Sequence, residues 1–176
     1  DGYANLCRVF AQSEDDASRF RRMGVPTDLV SVHPNLKWDR EPVSCDDAEA
    51  IRVALRLDTT RPLLLFASTA PEEHHIFAKS IPPSWQAVVA PRRPEWFADA
   101  LAAFPNARLR TDPVASGDAI VLNSLGELES VFPLADVVVM GRSFGLRHGS
   151  DPMGPAASGT PTVIGPSFGD FVPAVE

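Results

Sequence analysis

Cysteine and histidine are both scarce in this sequence. The two cysteines, Cys7 and Cys45, form no CxxC pair, and the four histidines are scattered among segments of different predicted structure. Metal sites and disulfide frameworks need such side chains at close, regular spacing. We therefore expect no metal site, and the isolated thiols favour a structural role in a reducing compartment.

Basic residues are also in the minority, with 16 Lys and Arg against 23 Asp and Glu and a formal net charge of -7. Nonspecific binding to nucleic acid requires a basic face that neutralises phosphates. We therefore expect no nucleic-acid partner, although a local basic pocket is compatible with this charge. No apolar run approaches the roughly 20 residues of a membrane-spanning helix.

Several signature motifs are missing as well. The sequence has no GxSxG elbow, no GxxxxGK[ST] loop and no GxGxxG fingerprint. It therefore lacks the motifs that indicate a serine hydrolase, a P-loop enzyme or a dinucleotide-binding enzyme of the usual type. The chain opens with "DGYANLCRVF", without an initiator Met or a signal-like segment. We expect it to be a piece of a longer protein.

What the sequence does contain is a regular alternation of apolar strand-like runs and amphipathic helix-like runs. A capped helix over residues 13–24 follows a strand in "NLCRVFAQ", and an acid-led helix follows Asp39. From Pro62 onward the predicted strands are "LLLFAS", "QAVVAP", "DAIVLN", "DVVVMG" and "PTVIGP", separated by helices. This pattern predicts an α/β fold with a Rossmann-like parallel sheet that has helices on both faces.

Ligands of such sheets bind at the carboxyl ends of the strands. Four candidate loops share that rim: Ser68 and Thr69, Arg92 and Arg93, Asn123 to Glu127, and Gly141 to Met153. The two guanidiniums stand between prolines at a helix start, a rigid presentation that suits phosphate or carboxylate. The hydroxyls of Ser68 and Thr69 can either cap the following helix or bind a ligand oxygen.

The third and fourth loops each allow two interpretations. Glu127, with Ser124 and Gly126 before it, either belongs to an anion site or stabilises a helix N-terminus. The stretch "HGSDPMGPAASGTP" has almost no bulky side chain. It either leaves room for the charged group of a ligand or forms an ordinary flexible loop.

Taken in order, several motifs resemble the donor-binding half of the 3-deoxy-D-manno-octulosonic acid (Kdo) transferases. They are "PNLKWD", "ASTAPEE", "APRRPEWF", "NSLGEL", "ADVVVMGRSF" and "DPMGPAASGTPTVIGP". The resemblance implies the C-terminal half of a GT-B glycosyltransferase. Such an enzyme transfers Kdo from CMP-Kdo to a lipid A precursor in lipopolysaccharide biosynthesis, with inversion and without a metal ion or another cofactor.

The resemblance also implies how the work is divided along the full enzyme. Residues 1–61 would lead from an N-terminal acceptor domain and include a linker, and residues 62–176 would be the nucleotide-sugar donor domain, cut short at its C-terminus. The general base would lie in the N-terminal domain, so this fragment would hold no catalytic residue and would be inactive alone. The full enzyme would associate peripherally with the cytoplasmic face of the bacterial inner membrane.

Carried over position by position, the resemblance implies a set of donor contacts. Lys37 matches the NLK motif, Arg92 the PR-P motif, and Gly141 and Ser143 the GGS turn. The complete candidate set is Lys37, Ser68, Thr69, Arg92, Arg93, Leu125, Gly126, Glu127, Gly141, Ser143, Asp151 and Pro152.

The chain departs from the family pattern at three places. Ala67 and Ala70 replace the glycine and histidine of GSTH, Trp96 falls within a changed PRHPERF, and Gly154 replaces the glutamate of NPLEP. Two alternatives therefore stand beside Kdo transfer. One is a GT-B enzyme that uses a UDP-sugar, and the other is a non-catalytic binding domain that kept the fold.

Overall fold

The computed structural model describes residues 3, 5–33, 35, 38–39, 41–112, 114, 116–145 and 148–175. The chain divides into two compact units, Asp1–Arg40 and Glu41–Glu176. This division comes before the helix that starts at Cys45, whereas the sequence-based boundary stands after residue 61. Ile51 and Leu55 of that helix pack into the core of the larger unit, which is why the compact unit begins earlier.

The smaller unit is a βαβ arrangement. Strand β1 (Val9–Ala11) pairs in parallel with β2 (Val30–Val32), and α1 (Glu14–Arg22) lies between them in sequence with a short 3-10 helix, Thr27–Leu29. Ser13 caps α1 by accepting the backbone N–H of Asp16. Acidic residues in the first turn and arginines in the last complement the helix dipole, so the predicted helix over residues 13–24 is confirmed.

The larger unit contains six strands and six α-helices in the part of the chain that the structure describes. In chain order these elements are α2 (Cys45–Leu55), β3 (Leu63–Thr69), α3 (Pro71–Ser80), β4 (Gln86–Pro91), α4 (Phe97–Ala103), β5 (Ala107–Leu109), β6 (Ala119–Val121), α5 (Leu128–Val131), β7 (Val137–Met140), α6 (Met153–Ala157), β8 (Thr162–Ile164) and α7 (Val172–Val175). Short 3-10 helices at Pro94–Trp96, Phe132–Leu134 and Gly169–Phe171 adjoin α4, α5 and α7.

The six strands form one parallel sheet in the order β5-β6-β4-β3-β7-β8. Alternate residues of β3 point to opposite faces, so Leu63 and Leu65 join a core with α2 and α5, while Leu64 and Phe66 join a core with α3 and α4. The fold class predicted from the alternating pattern is therefore confirmed. After β3 the chain continues to β4, and after β7 it continues to β8 on the opposite side. The loops that follow β3 and β7 therefore run in opposite directions, and ligands of such sheets bind at this position of the rim.

Two local features differ from what the sequence predicts. The run "LGELESVFPLA" has the pattern of a helix from Leu125, but the helix begins only at Leu128, because Gly126 has φ +87, which a right-handed helix does not allow. Strand β5 was not predicted, since its centre is a charged residue. Arg108 is nevertheless buried, and its guanidinium donates to the carbonyl of Leu55 at the end of α2.

Within the described residues, no helix has both the length and the apolar character needed to cross a bilayer.

Candidate functional site: an anion pocket over the end of β3

The carboxyl ends of β3 and β7 are in very close contact. A β-carbon at Gly141 would lie 2.5 Å from the Cα of Thr69 and 2.7 Å from the carbonyl oxygen of Ser68. Only glycine fits there, and its N–H donates to the carbonyl of Ala67 at 2.7 Å. Ser68 adopts φ +57 at an irregularity in β3. Gly141, Ser68 and Thr69, all candidate donor contacts, are therefore neighbours in the structure.

Three guanidiniums and one indole line a cavity of about 220 Å³ at this rim, from Arg92, Arg93, Trp96 and Arg142. The first two arginines follow β4 and the third follows β7, and these strands flank β3 on either side. The cavity is therefore placed across the end of β3. Since each guanidinium presents several N–H donors in a fixed plane, the arrangement suits phosphate or carboxylate.

The cavity-lining side chains are differently restrained. The guanidinium of Arg93 lies 5.2 Å from the centre of the Trp96 ring, and it pairs with Glu95 at 3.6 Å. The backbone N–H of Arg92 donates to the carbonyl of Thr69 at 3.0 Å, which joins the β4 loop to the end of β3. Within the described part of the chain, no ion pair involves Arg92 or Arg142. Both charges are thus available to a ligand anion.

Sequence reasoning selected Arg92 and Arg93 but passed over Arg142. The signal was present, because Arg142 stands between Gly141 and Ser143, two residues that were selected. The family motif at this turn, GGS, contains only small residues, so the resemblance selected Gly141 and Ser143 and not the arginine between them.

The start of α3 supplies a second group that sequence reasoning passed over. Glu73 is 1% exposed, and its carboxylate accepts backbone N–H groups from Ala70 at 3.1 Å, Arg142 at 2.7 Å and Phe144 at 3.1 Å. An acidic residue in the first helical turn is a common sequence feature. Only the fold shows that this one also reaches the loop after β7.

His74 lies next to Glu73 and is equally buried. Its Nε2 is 2.9 Å from the hydroxyl oxygen of Thr69. Burial lowers the pKa of His74, while the nearby carboxylates of Asp99 and Glu72 oppose this shift. Thr69, a candidate donor contact, therefore uses its hydroxyl in a buried hydrogen bond with α3.

Three further candidates, Ser143, Asp151 and Pro152, are buried or hydrogen-bonded within the protein. Ser143 is fully buried, and its hydroxyl donates to the carbonyl of Met140 at 2.6 Å and accepts the N–H of Gly165 at 2.8 Å. The carboxylate of Asp151 accepts the N–H of Met153, the first residue of α6, at 3.0 Å, and Pro152 is buried. These side chains shape the loop after β7.

The loop after β6 is a separate cluster. The carboxylate of Glu127 pairs with Arg110 at 3.1 Å and accepts a hydrogen bond from the hydroxyl of Ser124. Leu125 is 81% exposed, and Gly126 has the positive φ noted above. Leu125 thus presents an apolar surface at the rim, whereas Glu127 is neutralised by its arginine.

Lys37 lies outside the described residues. Among the residues that the structure does describe, no three His, Cys, Asp or Glu side chains come together in a group that could hold a metal ion.

Gly154 occupies the position where the family pattern has a glutamate, and the structure explains the glycine. A β-carbon there would lie 2.4 Å from the Phe132 ring and 3.1 Å from a carboxylate oxygen of Glu129. Phe132 and Glu129 therefore fill the space that a side chain at position 154 would need.

The parallel sheet, with helices on both faces and loops gathered at one rim, is a Rossmann-like α/β fold. Solved structures agree on the fold. The C-terminal CMP-Kdo binding domain of WaaA from Acinetobacter baumannii matches with a TM-score of 0.63 at 23% identity, over 74% of this chain and 74% of that one. Anabaena Alr3699/HepE in complex with UDP and glucose matches with a TM-score of 0.54 at 15% identity, over 94% of this chain and 46% of that one.

The sequence relatives narrow the resemblance to the Kdo transferases. The 3-deoxy-D-manno-octulosonic acid transferase of Bordetella pertussis is 29% identical over 100% of this chain and 44% of its own length. That of Haemophilus influenzae is 26% identical over 93% of this chain and 41% of its own length. No protein-family model matches. The similarity predicted from the motifs is thus confirmed, and the chain spans less than half the length of these curated relatives.

Proposed function

We propose that this chain is the donor-binding half of an enzyme that transfers Kdo from CMP-Kdo. The observation that carries the proposal is the pocket of Arg92, Arg93, Arg142 and Trp96 over the end of β3. CMP-Kdo carries two anionic groups, the phosphate of the nucleotide and the carboxylate of the sugar. Three guanidiniums in one cavity are matched to a ligand with that charge.

The same residues have a chemical task in the transfer step. As the bond between sugar and phosphate breaks, negative charge develops on the departing CMP. Fixed guanidiniums stabilise that charge without reorganising. In this proposal the reaction inverts the sugar centre without a metal ion, and the general base that deprotonates the acceptor hydroxyl is supplied outside this chain.

The remaining parts of the proposal follow from the family resemblance. Ser68, Leu125, Gly126 and Gly141 would complete the donor site together with the arginines. A lipid A precursor would be the acceptor, which would bring the whole enzyme to the cytoplasmic face of the inner membrane as a peripheral protein. Residues 62–176 would form the donor domain.

Calorimetric titration of the 176-residue chain with CMP and, separately, with UDP tests this function. We expect selective binding of CMP, weakened by Arg92→Ala. Arg52→Ala is the matched control, because Arg52 is an arginine of α2 that pairs with Glu49. Selective binding of UDP would instead support a UDP-sugar enzyme, and binding of neither nucleotide would support a non-catalytic domain that kept the fold.

A further inference from the structure

Glu73 joins two segments that are far apart in sequence. One carboxylate oxygen accepts the N–H of Ala70 at the start of α3 and the N–H of Arg142 after β7, and the other accepts the N–H of Phe144. A buried carboxylate is stable only when its oxygens are well paired. At Glu73, backbone donors from both segments provide that pairing.

The loop after β7 needs such an anchor. Arg142 adopts φ +61, in the left-handed region that is unfavourable for a residue with a β-carbon. Gly141 before it is pressed against the backbone of Ser68 and Thr69. A residue keeps such a conformation only where the surrounding structure holds it. The hydrogen bond from the Arg142 N–H to Glu73, at 2.7 Å, provides that restraint directly.

We propose that Glu73 is a positioning residue for the anion pocket. It fixes the backbone of Arg142 so that the guanidinium lines the same cavity as Arg92 and Arg93, and it contacts no ligand itself. The inference rests on the proposed function, in that it assigns an anion to this pocket. It does not depend on which nucleotide carries the anion.

The sign of the expected effect separates positioning from plain electrostatics. A negative charge near the pocket repels a bound phosphate, so removal of a carboxylate should by itself tighten anion binding. If Glu73 holds Arg142 in place, its removal should weaken binding instead. Glu72 is the matched control, since it is the adjacent carboxylate on α3 and its side chain is exposed.

The first experiment compares Glu73→Ala with Glu72→Ala, using CMP and inorganic pyrophosphate as calorimetric probes. We expect Glu73→Ala to weaken binding of both probes by about tenfold, the scale of one charge-assisted hydrogen bond. Glu72→Ala should bind as well as the original chain or more tightly. Glu73→Gln should lie between, because its amide retains only one oxygen acceptor. Unchanged or tighter binding by Glu73→Ala would overturn the proposal.

A double-mutant cycle tests whether Glu73 acts through Arg142. We expect Glu73→Ala combined with Arg142→Ala to bind within about twofold of Arg142→Ala alone, because the second change has nothing left to position. Combined with Arg92→Ala, the loss should be close to the product of the single losses. If the loss of affinity equals the product of the single losses in both double variants, Glu73 has a general structural role and the proposal is overturned.

Amide hydrogen exchange keeps the proposal testable if Glu73→Ala does not fold. In the original chain without ligand, the amides of Arg142 and Phe144 should exchange at least about a hundredfold more slowly than in an unstructured peptide. Rapid exchange of these amides would overturn the proposal.

The two probes separate this inference from the proposed function. If the chain binds pyrophosphate but does not bind CMP more tightly than UDP, the Kdo-transferase function is overturned. The comparison of Glu73→Ala with Glu72→Ala would still decide the positioning role. Binding of neither probe would overturn both proposals.

Discussion

The hydroxyl oxygen of Thr69 lies 2.9 Å from Nε2 of His74, and neither side chain has appreciable contact with solvent. This hydrogen bond connects the last residue of β3 to α3 beside the anion pocket. Since burial lowers the pKa of His74, the neutral imidazole is the form that the folded protein favours. Protonation of His74 therefore opposes folding.

The first prediction concerns pH. The unfolded chain takes up a proton on His74 near its ordinary pKa of 6.5, whereas the folded chain does so only at lower pH. The free energy of unfolding should therefore fall as the pH drops below about 6.5. His74→Gln keeps a donor and an acceptor near Thr69 without titrating, so it should show a smaller fall.

Urea denaturation at about pH 7.5 and about pH 5.5 measures this difference. His75→Gln is the control, because His75 is the neighbouring histidine and is exposed. Equal losses of stability in the original chain and in His74→Gln would contradict the prediction.

The second prediction concerns Arg142 as a ligand contact. Arg142→Ala should weaken CMP binding by about tenfold, because it removes a guanidinium from the pocket. Arg142→Lys should lose less affinity for CMP, since lysine keeps the positive charge. It should still lose some affinity, because lysine lacks the planar fork of N–H donors. The affinity of Arg142→Ala should also depend less steeply on salt than that of the original chain, because one charge no longer contributes. Calorimetry at two salt concentrations checks both effects, and an unchanged affinity would exclude Arg142 from the site.

The third prediction concerns the buried hydroxyl of Ser143. Ser143→Ala leaves the N–H of Gly165 without its acceptor in a fully buried position. We expect a loss of about 1–3 kcal/mol in the free energy of unfolding. Ser80→Ala is a control at an exposed residue, whose hydroxyl donates to the carbonyl of Phe77, and it should change stability by less than about 0.5 kcal/mol. Similar effects of the two substitutions in urea denaturation would refute the structural role of Ser143.

The fourth prediction concerns Gly154. In a helix with free space, Gly→Ala stabilises a protein by about 0.4–1 kcal/mol. Gly154→Ala should instead destabilise by about 1–3 kcal/mol, because its β-carbon would lie 2.4 Å from the Phe132 ring. Thermal denaturation shows whether Gly154→Ala lowers or raises the stability of the chain. Adding Phe132→Leu should recover part of the loss, whereas a stabilising Gly154→Ala would show that the ring moves aside freely.

The elements that sequence reasoning placed correctly are those with strong local signals. The predicted strand "QAVVAP" coincides with β4 (Gln86–Pro91), and Ser13 begins α1 as its cap. Strand β5 was missed because Arg108 at its centre is paired to the end of α2, a contact that no local pattern shows. The helix after Gly126 was placed too early because the φ of that residue is a property of the folded loop.

The candidate site was predictable to the same degree. Since parallel strands end at one rim, their following loops could be selected from the sequence, and Arg92 and Arg93 were selected in this way. Arg142 and Glu73 were not, because their importance depends on which strands become neighbours. The donor contacts assigned by resemblance, including Lys37 and Asp151, stay predictions.

The sequence by itself determined the alternation of apolar strands and amphipathic helices, the loops at the rim and the motif order shared with the Kdo transferases. These features depend on local periodicity and composition. The tertiary structure alone decided that β4 and β7 flank β3, which brings Arg92, Arg93 and Arg142 to one cavity and Glu73 to the backbone of Arg142. The physical reason is that the order of the strands is set by the long-range packing of helices on both faces of the sheet, and local sequence patterns do not predict that packing.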